Sequence, residues 1–284
     1  PGLLFSSGTS WKGSRFRFTS DKGRSKMLQA MIVFVSLISG EVPAQGGYVY
    51  RAVLLDEPAP IRIDGDLSDW EGLEAKIEPI GNVCTSAEKG FIPPSDISDL
   101  SGNFRCIVDP EGFYIAVEVK DDKPVFGEEK FGATFNDDSV EIHFDGDLAS
   151  KEYEEGVMDY DANDAQIRLS LDRDGRARLE GNALFGDGLF MFPGLWESLG
   201  IEGAIKKQPW GFTAEFKVPE IVFITAPLEP GLEVGFQVMV NDDDDGGGRD
   251  SKISWTDDLN DESWHTTRYF GKILIERKVG LSSG

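Results

Sequence analysis

The sequence predicts an all-β protein, an antiparallel β-sandwich of two sheets with jelly-roll or immunoglobulin-like architecture. Three observations predict it. From Tyr48 onward, short runs alternate apolar and polar residues with a period of two. Clusters rich in Gly, Pro and Asp separate these runs and supply turn chemistry. No stretch carries the 3.6-residue repeat of a long amphipathic helix. Many short alternating strands with frequent turns describe sheets packed face to face.

The runs justify themselves in order. In residues 113–119 the odd positions, Phe113, Ile115, Val117 and Val119, are apolar. In 139–145, Val140, Ile142 and Phe144 share one face, and 166–171 alternates as cleanly. The runs 212–218, 234–240 and 272–275 follow. Turns are expected at 109–112, 145–147, 172–175 and 229–231. Residues 221–226 have room for one short turn of helix. Three segments read as long loops, 90–102, 147–164 and 182–200, and long loops in a compact domain often carry function.

Composition narrows the partners. The chain has 284 residues, with 51 Asp and Glu against 28 Lys and Arg, for a formal net charge of −23. That field repels phosphate backbones and anionic membrane surfaces, so nucleic acid is excluded as a natural partner. Apolar residues at 40% supply a core, and a sandwich of this length folds as one domain, here 45–280.

The first 44 residues differ from the rest. Residues 1–26 are basic and polar, with Lys12, Arg15, Arg17, Lys22, Arg24 and Lys26. They read as an upstream or non-native segment. Residues 27–39 form an apolar run, followed by the small-residue site Val42-Pro43-Ala44. Charged, then apolar, then small is the order of a secretory signal peptide, placed at 27–44 with processing after Ala44. A short buried helix is the alternative. The run is too short to span a bilayer comfortably. The expectation is a secreted, periplasmic or cell-surface protein with no membrane insertion after signal removal.

Two cysteines remain, Cys84 and Cys106. In an exported protein such a pair is read as a disulfide, worth about 3 kcal/mol by the chain-entropy argument. Two buried free thiols are the alternative.

The alternation splits each strand into two faces. Val140, Ile142, Phe144, Ile167, Leu169 and Leu171 are assigned to the core. The opposite face carries Glu141, His143, Gln166, Arg168 and Ser170. Planar hydrogen-bonding groups gathered this way match the hydroxyl pairs of a sugar, or form an ordinary solvated sheet face. Trp255 is expected to pack in the core at a strand end. Trp264, in a polar loop, is expected to meet a ligand with its ring.

The segments 63–70 (with Asp64, Asp66, Asp69 and Trp70), 114–121, 138–142, 164–168, 211–215 and 235–242 come in a fixed order. Ile253-Ser254-Trp255, Ser263-Trp264 and Phe270-Gly271 complete it. In order and spacing they resemble the family 9 carbohydrate-binding modules and, more broadly, DOMON-like sandwiches, over residues 61–275. The resemblance implies a non-catalytic domain that clamps a terminal sugar between two aromatic rings and serves polysaccharide degradation. It implies Trp264 as one ring, with Phe135 where the family has a second Trp. It implies Glu141 and Arg168 as hydroxyl ligands, with Ser170 and Asp261 where Asn residues are usual. The implied partner is an oligo- or polysaccharide, with a glycoside hydrolase possible on another chain.

Structural calcium is also implied by the family. Asp64, Asp66, Asp69, Asp137 and Asp138 are the candidate ligands, and 242–245 is a further acidic run. Hard cations need several converging oxygens, whereas acidic loops are also commonly solvated charge. Two rival functions stand beside sugar binding. One is a DOMON-like haem domain drawing on Met158, Met191, Met239, His143 or His265, and the other is a structural or adhesive extracellular domain. An enzyme is not expected: no GxSxG, HExxH or Cys–His pattern occurs.

Overall fold

The computed structural model describes residues 47–149, 157–185, 188–190, 192–222 and 226–277. The expected upstream segment, the signal peptide and Met191 lie outside the described residues. The strands are β1 (Val49–Leu54), β2 (Glu78–Ile80), β3 (Asn82–Val83), β4 (Leu100–Asp109), β5 (Gly112–Asp121), β6 (Ser139–Asp145) and β7 (Asp164–Leu171). They continue with β8 (Ala177–Phe185), β9 (Gly188–Phe190), β10 (Glu202–Gln208), β11 (Gly211–Pro219), β12 (Glu233–Asp242), β13 (Ser251–Ser254) and β14 (Gly271–Arg277). One helical turn, α1 (Leu195–Ser198), and four short 3-10 turns are the helical content among the described residues. The all-β expectation holds.

The strands form one continuous hydrogen-bonded path, β10-β11-β5-β4-β1-β14-β12-β6-β7-β8-β9. The sheet doubles back, so that β10 comes to lie against β7 and β8. A Cβ on Gly203 would stand 3.1 Å from a Leu169 methyl and 3.0 Å from one of Leu179, so the crossing is close and a side chain there would have to push both methyls aside. The interior between the halves is filled by Ile115, Val117 and Phe216 from one side and Ile142, Ile167 and Val238 from the other. Aromatic rings seal the centre, where Phe104 meets Trp255 edge-on at 5.2 Å and Phe236 at 5.8 Å. Trp255 therefore packs as expected.

The ladder is not wholly antiparallel. β1 runs parallel to β14 on one side and to β4 on the other, while its neighbours along the path pair antiparallel. A strand placed this way joins the two halves without a hairpin. The segment 90–102, expected as a loop, already enters β4 at Leu100, and 182–200 holds the end of β8, then β9 and α1. Aromatic and glycine content hid short elements there.

The cysteine expectation is corrected. Cys84 and Cys106 are free, buried thiols. They sit in separate apolar clusters, Cys84 with Phe91 and Met239, and Cys106 in the main core with Tyr50 and Phe104. The Cys84 thiol donates to the carbonyl of Asp258 at 3.2 Å instead. Burial pushes its pKa up to about 12, which makes it an inert filler of the core.

Candidate functional site

The polar faces of β6 and β7 are not solvated. Every residue of both strands is buried, including Glu141, His143, Gln166, Arg168 and Ser170. Loops fold over this face and leave one cavity of about 390 Å³ in it. Its floor holds Glu141 and Arg168, neighbours by strand register. Lys252 and Asp261 form one wall, and Phe135 and Trp264 stand at the mouth, 36% and 42% exposed.

Charge compensation organises the floor. The Lys252 ammonium donates to Glu141 Oε2 at 2.8 Å and to Asp261 Oδ1 at 2.6 Å. Asn241 donates to Glu141 Oε1 at 2.9 Å. Arg249 donates to Asn241 Oδ1 at 2.7 Å and to Asp261 Oδ2 at 3.0 Å. Burial alone would push the Glu141 carboxyl up, but Lys252, a hydrogen bond to His143 and Arg168 hold it well below the usual range. Burial likewise opposes the charge on Lys252, and Asp261 and Glu141 outweigh it. Both groups are therefore ionised at neutral pH.

Arg168 is braced from behind. Its Nε donates to Thr134 Oγ1 at 3.0 Å and its Nη2 to Glu180 Oε2 at 3.3 Å. Glu180 also accepts from the Gly132 amide at 2.9 Å, which ties the Phe135 loop to β8. The guanidinium lies 5.4 Å from the centre of the Phe135 ring. Trp264, also at the mouth, rests 4.4 Å from the His265 ring. Asp258 accepts the amides of Glu262 and Ser263 at 2.7–2.9 Å, fixing the turn that carries Trp264.

The structure thus gathers five of the expected sugar ligands, Phe135, Glu141, Arg168, Asp261 and Trp264, around one cavity. Ser170 is corrected: its hydroxyl is turned away and donates to the carbonyl of Asp138 at 2.8 Å. Lys89, Asn182, Arg249 and Lys252 also line the cavity and were missed. Arg249 and Lys252 sit in a segment whose Asp run dominates its reading. Met158, Met239, His143 and His265, the described haem candidates, do not line the cavity. Met239 is sealed beside Cys84 and Phe91, and His143 faces the Tyr160 hydroxyl at 3.2 Å.

The five acidic residues expected as calcium ligands do not converge on one point. Asp64, Asp66 and Asp69 make turn and surface bonds: Asp64 accepts the Asp66 amide, Asp69 the Arg62 amide, and Asp66 pairs with Lys206 at 2.6 Å. Asp137 accepts the Gly127 amide at 3.1 Å. Only Asp138 of the five belongs to a converging group, with Asp121 and Asp242, whose oxygens lie within 4.8 Å of one another. Each of these three buried carboxylates has an oxygen without a hydrogen-bond partner. Burial, then Asp121, raises the Asp138 carboxyl well above the usual range. A buried set of carboxyl oxygens without hydrogen-bond partners fits a hard cation, which would displace the protons that burial favours.

Comparison with known proteins decides the family. The model for the family described as carbohydrate family 9 binding domain-like matches residues 82–278. The chain belongs to this family. Membership makes it a carbohydrate-binding domain of the family 9 type. The chain is 27% identical over 213 residues to endo-1,4-beta-xylanase A of Thermotoga neapolitana, covering 75% of this chain and 17% of the xylanase. It is 26% identical over 144 residues to exoglucanase XynX of Acetivibrio thermocellus, covering 51% of this chain and 11% of that enzyme. The chain thus spans less than a fifth of either relative. Among solved structures it is similar to a family 9 module from Caldicellulosiruptor kristjanssonii in complex with cellotriose. The TM-score is 0.55 at 18% identity, covering 82% of this chain and 97% of that one. The same module in complex with glucose gives a TM-score of 0.55. At that identity the likeness is one of fold.

Proposed function

We propose that this family 9 domain is a non-catalytic, exported module that holds the end of a saccharide between Phe135 and Trp264. It serves polysaccharide degradation, with a glycoside hydrolase on another chain as its working partner. The observation that carries this reading is the cavity itself. Two half-exposed rings flank a floor of fixed, ionised hydrogen-bonding groups. Apolar sugar faces stack on the rings, and the charged groups meet hydroxyls through charge-assisted bonds. The dead end made by Glu141, Lys252 and Asp261 favours a terminal residue over a passing chain.

Two facts support a binding role over catalysis. Both carboxylates of the cavity are tied to the same ammonium, so neither is placed to exchange protons as a general acid or base. The enzymes to which the chain is similar are matched over a small fraction of their length. We read the doubled-back ladder as the two-sheet sandwich expected from the sequence. Calcium, held by Asp121, Asp138 and Asp242, would neutralise their mutual repulsion and staple β5 to β6 and β12.

Calorimetric titration with mono- and oligosaccharides tests the reading. Wild type is expected to bind a terminal sugar, and Trp264→Ala to lose most of that affinity. Equal binding of every saccharide by both proteins would sink it.

A further inference from the structure

A second concave surface lies on the other half of the ladder. The turn around Trp70 covers part of the outer face of β4, β5 and β11, through contacts with Ile107, Tyr114 and Ala116. Beyond that cover a groove of about 260 Å³ remains, lined by Ser101, Gly102, Asn103, Glu118, Lys120 and Trp210. None of these is among the residues of the first cavity.

Trp210 is the unusual member. It sits in the tight turn between β10 and β11, and 42% of it is exposed. The turn is rigidly placed. The Asp121 amide donates to the Trp210 carbonyl at 3.1 Å. Gly211 at φ +137° comes so close to β5 that a Cβ there would stand 2.1 Å from the Val119 carbonyl oxygen. A large ring held in water on a fixed turn is a platform whose ordering cost is already met by the fold.

The groups beside it are uncommitted. Asn103 and Glu118 face each other across β4 and β5, and Ser101 faces Lys120. The side chains of Asn103, Glu118 and Lys120 enter no hydrogen bond or ion pair among the described residues. In the first cavity, by contrast, the charged groups are locked together. An amide, a carboxylate and an ammonium in a row beside an indole match the hydroxyls and apolar face of pyranose rings. Opposite charges offset each other along the row, so a neutral ligand fits better than an ionic one.

We propose that this groove is a second carbohydrate-binding site, which takes internal units of a neutral polysaccharide. Its lining runs in a row along β4 and β5, and it holds no ion-paired cluster like the Glu141–Lys252–Asp261 wall of the first cavity. A chain can therefore pass across it. The two sites together would bind an insoluble polymer bivalently, the end in one and the body in the other.

The test separates the two sites. In Trp264→Ala, which disables the first cavity, titration with cellohexaose and xylohexaose followed by tryptophan fluorescence is expected to show saturable binding to at least one. Adding Trp210→Ala should weaken that binding about tenfold or more, the loss of one stacking contact. In the otherwise wild-type chain, Trp210→Ala should leave glucose titration unchanged and reduce adsorption to insoluble cellulose or xylan by about tenfold or more. Matching melting temperatures confirm that each variant is folded. Absence of hexaose binding in Trp264→Ala overturns the proposal. So does equal binding by Trp264→Ala and the double variant. Either result leaves the first cavity untouched, because glucose binding by wild type reports on that cavity alone.

Discussion

Lys252 holds its ammonium 2.8 Å from the carboxylate of Glu141, with both side chains about 1% exposed. The pair lines the cavity whose mouth holds Phe135 and Trp264 and carries its electrostatic balance. Lys252→Met would strip Glu141 of its nearest cation and leave it Arg168 at 3.6 Å and the Asn241 amide, at a cost of about 1.5–3 kcal/mol, the range for a hydrogen bond to a charged group. Urea unfolding should show this loss, and Glu141→Gln added to Lys252→Met should recover much of it. Because Glu141 titrates below its ordinary 4.5, its contribution is present above that pH and fades as the medium acidifies through the folded value.

Phe135→Trp is expected to tighten binding of a terminal sugar by about 0.5–1.5 kcal/mol, through a larger stacking surface. Phe135 is already half exposed at the mouth, so the larger ring has room. Calorimetry with glucose reads the change. An unchanged or weaker affinity in a folded variant would place the sugar away from this ring.

Calcium should raise the melting temperature and chelator should lower it. Binding to the native state alone contributes about 2.7 kcal/mol at a ligand concentration 100 times Kd. Asp242→Asn removes one arm of the triad with Asp121 and Asp138, and should abolish the calcium-dependent increase. If wild type melts at one temperature with calcium and with chelator, the triad holds no structural ion.

Asp164 gives the fold a pH dependence of opposite sign to that of Glu141. Burial, then the charge of Asp145, pushes its carboxyl from 3.8 up to about 9. The folded chain thus holds a proton that the unfolded chain releases. Stability is full below about pH 4 and declines as pH rises toward 9. Asp164→Asn should flatten that decline in a series of thermal melts from pH 5 to about 9. An identical slope in the variant would assign the dependence elsewhere.

Thiol titration in denaturant should find two reactive cysteines per chain, since Cys84 and Cys106 occupy different clusters. The native protein should react far more slowly, because both thiols are buried. A reading of no thiols would restore the disulfide expected from the sequence.

The sequence reading succeeded where one physical signal acted alone. Period-two alternation placed β6 and the cores of β5, β7, β11, β12 and β14, because inward and outward faces differ in polarity along those strands. It failed for β1, whose Ala52 and Tyr50 are buried by tertiary contacts that no local pattern announces. The cavity was half legible. Rings and charged residues on strands could be placed by alternation and resemblance, as with Glu141, Arg168 and Trp264. Lys252 and Arg249 could not, because their role is to neutralise Glu141 and Asp261, and that depends on the sheet register. Alternation left the polar face open between a sugar site and a solvated surface, and it is roofed by loops that bring Thr134, Tyr160 and Ser263 over it.

The parallel placement of β1 sets a condition on assembly. Its first described residue, Val49, pairs with Lys272 near the other end of the described chain. Loop closure over such a separation is slow and comes after the local hairpins such as β4–β5 and β10–β11. During synthesis β1 emerges long before its main partner, β14. Until then it is an open edge with apolar residues on show. This is the stage at which the chain is most exposed to association with its own copies.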